Sequence, residues 1–457
     1  MARSGEYEVQ SQQLALPGMT AEDEFSAYHD ISKYGYFSIL HDTGRINARG
    51  YPIKQQESFL LRDMPDVLKH WGGTSNSWIS QAEFKKPNRR AVNVLRIGLA
   101  FIDLDYYKID NLRGKTPDYV LNQVFARCVA RNIPLPNLVV YSGRGLQIKW
   151  LFGHTIPRKA LIRWNRLQST LVETFKDLGA DPAARDVSRV LRLVDTYNSK
   201  SRQLVEVILH DQQHRYQFDA MCDQVFEYSR AEIQAFREEA KNKREARQLK
   251  LIEGGRNTTG LRSFSGNQLA WDRLHDLRKL TELRGGVVEG ERMKTLFWQL
   301  NFLLLSGATN PNQMYLEAQQ LAYQLDPNWK MDTGDLSTLY QKSKQHANGE
   351  TVVLNGQEYS SLYTPRNDTL IDLFEISLNE QQLLRTIISP DEAKSRHRAR
   401  DEKRRRESGA VTREEYEARS RSRAEQAKEL KKEGYKGKEI AEKLGVTAAR
   451  VSQLLKN

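Results

Sequence analysis

Phe101-Ile102-Asp103-Leu104-Asp105 is the stretch that decides how this chain is read. Side chains alternate along a strand, so Asp103 and Asp105 share one face while Ile102 and Leu104 point into a core. Two neighbouring carboxylates repel unless a cation lies between them. Such a pair suits a hard, oxygen-seeking ion such as Mg²⁺ or Mn²⁺. Alone the pattern is weak, because Asp-hydrophobic-Asp also closes ordinary strands. Strand-like runs recur at residues 36–40 and 138–141, and residues 117–131 and 159–178 carry the 3.6-residue apolar spacing of helices. Strands alternating with helices imply an α+β or α/β domain.

Two further motifs follow in order. Leu138-Val-Val-Tyr-Ser-Gly-Arg-Gly-Leu-Gln-Ile-Lys-Trp150 reads as strand, glycine-broken turn and strand. Gly143 and Gly145 would let backbone amides approach a phosphate, with Arg144 and Lys149 adding charge; a plain hairpin tip is an equal reading. The segment 179–200 offers a third carboxylate, Asp181 or Asp186, and a row of Arg189, Arg192, Asn198 and Lys200. Three acids with convergent cations form an inventory for metal ions and a triphosphate.

In this order and spacing the three blocks resemble the archaeo-eukaryotic primase superfamily, in the branch of plasmid and mobile-element replication primases. Asp103 and Asp105 match its first motif. Ser142, Gly143 and Gly145 match the second, with Gln147 where the wider superfamily has histidine; an amide donates a hydrogen bond but brings no charge. Arg189-Val-Leu-Arg-Leu-Val-Asp-Thr-Tyr-Asn-Ser-Lys200 matches the tail of the third, Val194-Asp195 replacing Pro-Gly. The match covers roughly residues 30–215, and the helical block at 267–350 is similar to the accessory domain that often follows these primases. The resemblance implies an α+β, RNA-recognition-motif-like palm. In it Asp103, Asp105 and Asp181 or Asp186 (the former slightly favoured) would hold two Mg²⁺ or Mn²⁺ ions, with no zinc. Ser142, Gly143, Arg144, Gly145, Gln147, Lys149, Arg189, Arg192, Asn198 and Lys200 would grip an incoming NTP or dNTP. The activity implied is template-dependent nucleotidyl transfer, making primers on single-stranded DNA.

Composition agrees. The 457 residues allow two to four domains, and a formal charge of +12 suggests a polyanionic partner. No window approaches a membrane span. Glu6, Glu8 and Glu22 interrupt any signal core, so a cytoplasmic location is expected, and the resemblance implies a bacterial one near nucleoid or plasmid. Two cysteines, Cys128 and Cys222, make neither a disulfide framework nor a four-cysteine zinc site.

The expected order is a flexible leader (1–25), palm (26–225), charged helical connector (226–262), helical accessory domain (263–390), basic arm (391–423) and helix-turn-helix (424–457). Residues 394–432 hold 15 Lys and Arg against 8 Asp and Glu. Arg404, Arg405 and Arg406 in that arm would touch DNA, although such runs are usually solvated helix. After it, residues 424–434, 438–444 and 448–455 read as three helices, Gly445-Val-Thr447 turning between the last two. Thr447, Ala448, Arg450 and Gln453 would meet duplex DNA near the start of the recognition helix. A plain three-helix or dimerisation module is the bland alternative.

Three rivals remain. A non-catalytic initiator would keep the helix-turn-helix and a relic palm. A relaxase-type nuclease would need a metal-binding histidine pair, for which His210 and His214 are poor candidates. A motor would need a G-x-x-x-x-G-K-[ST] loop, which the sequence lacks, so a separate helicase is an expected partner.

Overall fold

The computed structural model describes residues 19–245, 259–354, 356–409 and 412–455. These fall into two compact units, one running through Pro365 with Leu384–Thr386, the other holding Arg366–Leu383 and the described residues from Ile387 onward.

The architecture is α+β. The first unit begins with α1 (Ala21–Ser26), then β1 (Tyr36–Ile46), β2 (Pro52–Leu60), α2 (Met64–Trp71), β3 (Ser77–Ser80), β4 (Ala82–Phe84) and β5 (Val94–Leu104). It continues with α3 (Pro117–Ala130), β6 (Leu138–Tyr141), β7 (Leu146–Pro157), α4 (Leu161–Thr174), β8 (Val190–Arg192), β9 (Tyr197–Asn198), β10 (Gln203–Leu204) and β11 (Glu206–His210). The main sheet is ordered β11-β6-β7-β5-β4-β1-β3-β8, with β2 paired to β1. Its named pairs are antiparallel.

Strand β5 lies at the centre, and its run from Ile97 to Ile102 is buried. Such a strand reads as a continuous apolar run because neither face meets water. Helix α4 packs on it through Trp164, whose indole donates to the Leu99 carbonyl at 2.8 Å. Helix α3 is tied to the end of α4 by Arg127, which donates to the Thr174 carbonyl and pairs with Asp177.

The leader expected over residues 1–25 is shorter, because residues 21–25 belong to the fold; residues 1–18 lie outside the described residues. Thr20 caps α1 with a capping box, and Ala21, Glu24 and Phe25 are buried at i, i+3 and i+4. One helical turn carries too few apolar positions to show periodicity. Burying Phe25 alone contributes about 1.5–3 kcal/mol.

Helices α5 (Phe218–Val225) and α6 (Arg230–Glu245) follow, and the rest of the expected connector up to residue 258 lies outside the described residues. Then come α7 (Thr259–Leu283), α8 (Arg292–Leu305), α9 (Met314–Leu325), α10 (Ser337–Ala347) and the hairpin β12 (Thr351–Leu354) with β13 (Gln357–Ser360). This helical block shares one unit with the sheet. The Glu317 carboxylate accepts from the Ala91 amide at 2.7 Å, Gln324 donates to Asn93 at 3.1 Å, and Asn165 donates to the Gly307 carbonyl at 3.2 Å. Burial pushes Glu317 up to about 7.

The second unit contains α11 (Asn367–Leu373), α12 (Leu378–Leu383), α13 (Pro390–Glu407), α14 (Arg413–Lys432), α15 (Gly437–Lys443) and α16 (Ala448–Leu454). Residues 366–383 belong here, although the helical block was expected to run to 390. The basic stretch is helical and laced with ion pairs: Arg404 meets Asp401 at 3.0 Å and Arg406 meets Glu402 at 2.9 Å. Ala427, Ile440, Ala441, Val451 and Leu454 close a small core among α14, α15 and α16. Among the described residues no helix is long and apolar enough to cross a membrane.

Candidate functional site

Strand register builds the site. Asp103 on β5 stands opposite Gln147 on β7. Elsewhere on the sheet Leu40, Trp78 and Arg192 form a row across β1, β3 and β8. Both patches line one cavity of about 310 Å³, together with Lys54, Asp105, Tyr107, Ser142, Arg144, Arg189, Asn198 and Lys200. Segments far apart in sequence therefore converge: the first motif, the glycine turn and the tail of the third.

The charges in this cavity are unequal. Lys54, Arg144, Arg189, Arg192 and Lys200 face two carboxylates, Asp103 and Asp105. Arg144 lies 3.9 Å over the Tyr107 ring and donates to its hydroxyl at 2.7 Å. Lys54 sits 3.9 Å from the centroid of Trp78, and Arg192 lies 5.0 Å from the same ring. Aromatic faces hold these cations in place without neutralising them.

The Asp103 carboxylate has no hydrogen bond or ion pair among the described residues. Burial, then the charges of Asp105 and Asp181, push its carboxyl up to about 7, against the pull of Arg189 and Arg192. Asp105 is held by Lys108 at 2.5 Å. The side-chain oxygen of Gln147 is buried without a partner, so its amide is free to bond a ligand in either flip state.

Neither candidate for the third acid lines the cavity, and the two differ in their surroundings. Residues 179–181 run beside the end of β5: the Asp181 amide donates to the Asp103 carbonyl at 2.9 Å, and the Asp105 amide to the Gly179 carbonyl at 2.8 Å. Asp181 itself accepts from the Ala183 amide at 2.9 Å. Asp186 does not line the cavity; it is buried, bonded to Ser188 at 2.6 Å and Arg189 at 2.8 Å. Its nearness in sequence to the arginines reflects an ion pair with one of them. Among the described residues no group of three or more His, Cys, Asp or Glu side chains forms a metal-holding cluster. The oxygen-only pair Asp103 and Asp105, one of them unpartnered and both crowded by like charge, fits a hard divalent ion.

Lys149 is a correction. It follows Gln147 by two residues, yet its ammonium is fully buried, 2.5 Å from Glu24 on α1 and 3.5 Å from the Tyr28 hydroxyl. Burial lowers its pKa and raises that of Glu24. It lies under α1, away from the cavity, because residues 21–25 fold instead of forming a leader.

Of the two equal readings of this turn, Gly145 favours the hairpin tip. The Ser142 and Gly145 backbones bond each other, and Ser142 Oγ accepts from the Gly145 amide at 3.1 Å. A Cβ at Gly145 would stand 2.4 Å from the Leu104 carbonyl oxygen. Gly145 thus lets the turn press against β5, and its amide is already used. At Gly143, φ is +83° and a Cβ would meet that of Asn198 at 2.8 Å. Asn198 in turn donates to the Ser142 carbonyl at 2.9 Å, tying the second motif to the third.

Val194-Asp195 has a local explanation. Asp195 takes φ +63°, a left-handed conformation that Asp tolerates better than most non-glycine residues. Its carboxylate accepts from the Ala21 amide at 2.7 Å, anchoring the start of α1.

Sequence reading missed Lys54 and Trp78. Neither lies in a motif; only the pairing of β1 with β2 and β3 brings them in. In the second unit Thr447 caps α16, accepting from the Arg450 amide at 3.3 Å. Arg450 bonds Gln453 at 3.0 Å and reaches Tyr416 and Ser420 on α14, each at 3.4 Å.

No family model matches the chain. A replication protein of Clostridium perfringens is 29% identical over 373 residues, covering 79% of this chain and 80% of that protein. Among solved structures, the primase domain of the cyanophage S-2L primase-polymerase matches at 13% identity, over 44% of this chain and 95% of that one, with a TM-score of 0.32. Primase RepB' matches at 14% identity over 71% and 94% with a TM-score of 0.27. Its catalytic domain in complex with initiator DNA matches at 15% over 50% and 99%, with a TM-score of 0.26. The chain resembles the archaeo-eukaryotic primase superfamily in its three motifs, and its curated relative is a replication protein.

Proposed function

We propose that this chain is a replication primase of a plasmid or other mobile replicon, a template-dependent nucleotidyltransferase acting on single-stranded DNA. The observation that carries the reading is the convergence of Asp103 and Asp105 with five cations and an unpartnered glutamine amide in one cavity. Asp103 and Asp105, with Asp181 beside them, would hold Mg²⁺ or Mn²⁺. When bound, such ions lower the pKa of an attacking hydroxyl and neutralise a departing pyrophosphate. The chain's own part is positioning. Arg144, Arg189, Arg192 and Lys200 grip the triphosphate, Gln147 and Ser142 hydrogen-bond it, and Lys54 on Trp78 extends the cationic wall. Held cations and dipoles supply most of the rate enhancement in phosphoryl transfer.

Replacing Lys54 by Gln is expected to raise the nucleotide KM about tenfold with little change in kcat, since the ammonium contributes uniform binding. Steady-state incorporation at varied nucleotide concentration checks this.

The second unit is assigned to duplex DNA, a helix-turn-helix of α15 and α16 presenting Thr447, Ala448, Arg450 and Gln453, with Arg404, Arg405 and Arg406 adding phosphate contacts. Ending the chain after Ser389 should leave incorporation intact and weaken duplex binding. The slope of log affinity against log salt should flatten by roughly 0.9 per lost phosphate contact. An unchanged slope would remove the tether from the account. A separate helicase would open the duplex. The second reading, a non-catalytic initiator, predicts DNA binding without any incorporation.

A further inference from the structure

The helical block faces the sheet with Arg278 and with His275, which burial and then neighbouring cations push down to about 3 and so keep neutral. Trp271, His275 and Arg278 lie at i, i+4 and i+7 on one face of α7. The Trp271 and His275 rings meet edge to face at 4.7 Å. Arg158, at the end of β7, stands 5.2 Å from the Trp271 ring. Arg278 reaches the Val92 carbonyl at 3.4 Å and Gln324 at 2.8 Å. Lys85 comes from the neighbouring loop, its amide bonding the Asn93 carbonyl at 2.9 Å.

What Arg158 lacks at this seam is an anion. The Arg158 guanidinium makes no hydrogen bond or ion pair among the described residues, and its Nε and one Nη are buried without partners. The charged neighbours acting on Lys85, Arg158 and His275 are all cations. Arg278 feels the Glu317 carboxylate, one oxygen of which accepts from the Ala91 amide while the other is buried without a partner. Buried donors left unsatisfied beside like charges are costly unless a ligand completes them.

We propose that Lys85, Arg158, His275 and Arg278 form a phosphate-binding site at the seam between sheet and helical block, separate from the nucleotide cavity. Arg158 offers a planar fork of donors suited to two phosphate oxygens. The ligand is a phosphate group, carried by a single-stranded nucleic-acid backbone or by a small phosphate. The site deepens the primase reading by giving the strand a second grip, but it is measured without nucleotides or metal.

The test uses the full-length chain, wild type and Arg158→Gln, with Lys85→Gln as a milder loop variant should the first fail to fold. Thermal unfolding is followed with inorganic phosphate replacing chloride at fixed ionic strength, and a labelled single-stranded oligonucleotide is titrated at several salt concentrations. Wild type should be stabilised by phosphate beyond the background from the nucleotide cavity, and the variants should lose that excess response. A salt slope lower by roughly 0.7–1.4 in the variants, one or two single-strand contacts, assigns the phosphate to nucleic acid. A lost phosphate response with an unchanged slope assigns it to a small phosphate. Variants that keep both the wild-type response and slope overturn the site. Asp103→Asn carries the seam intact, so an inactive primase cavity and an absent seam site give different results.

Discussion

Replacing Asp103 and Asp105 together by asparagine is expected to lower template-dependent incorporation by about a thousandfold or more, since charge stabilisation at the reacting phosphate is lost. Folding should not suffer. Burial and like charge hold the Asp103 carboxyl near 7, so at pH 8 the native state carries an unfavourable ionised group. A neutral amide of the same shape removes that cost. The double variant should therefore unfold at an equal or higher temperature than wild type while losing activity. Duplex binding by the second unit should persist. Near-wild-type incorporation would remove these residues from the chemistry, and a lowered unfolding temperature would make their role structural.

Gly145→Ala is expected to lower both stability and activity. The new methyl would lie 2.4 Å from the Leu104 carbonyl oxygen, and a backbone atom cannot swing aside as a side chain can. Relief requires the glycine turn to part from the end of β5, and overpacking of this kind costs about 1–3 kcal/mol. Leu104 sits between the two acids, so the same shift displaces Asp103 and Asp105. A misplacement near 1 Å costs about a hundredfold in rate. Urea unfolding and incorporation kinetics measure the two effects. Wild-type stability in this variant would contradict the close approach.

Much of this candidate site is legible in the sequence. Alternation placed Asp103 and Asp105 on one face and Ile102 and Leu104 in the core, where both apolar residues are fully buried. The strand-turn-strand at 138–150 and helices over 117–131 and 159–178 follow from periodicity and glycine position, the second helix being the shorter Leu161–Thr174. In the short turn after β5, Tyr106 packs while Tyr107 receives Arg144. What stayed hidden depended on pairing between distant strands. Lys149 shares the parity of Gln147, and nothing in its own strand says that α1 will cover it with Glu24. Asp186 and Asp181 differ only in what surrounds them, Ser188 and Arg189 for one and the end of β5 for the other. Lys54 and Trp78 carry no motif, and three-residue strands such as β4 and β8 are too short to show alternation.

The most direct measurement is incubation of the full-length chain with circular single-stranded DNA, labelled nucleotides and Mg²⁺ or Mn²⁺, products being resolved on a denaturing gel. The account predicts labelled oligonucleotides that require both template and metal, and that are absent with the Asp103 and Asp105 variant. Firm DNA binding with no labelled product under either metal would contradict it.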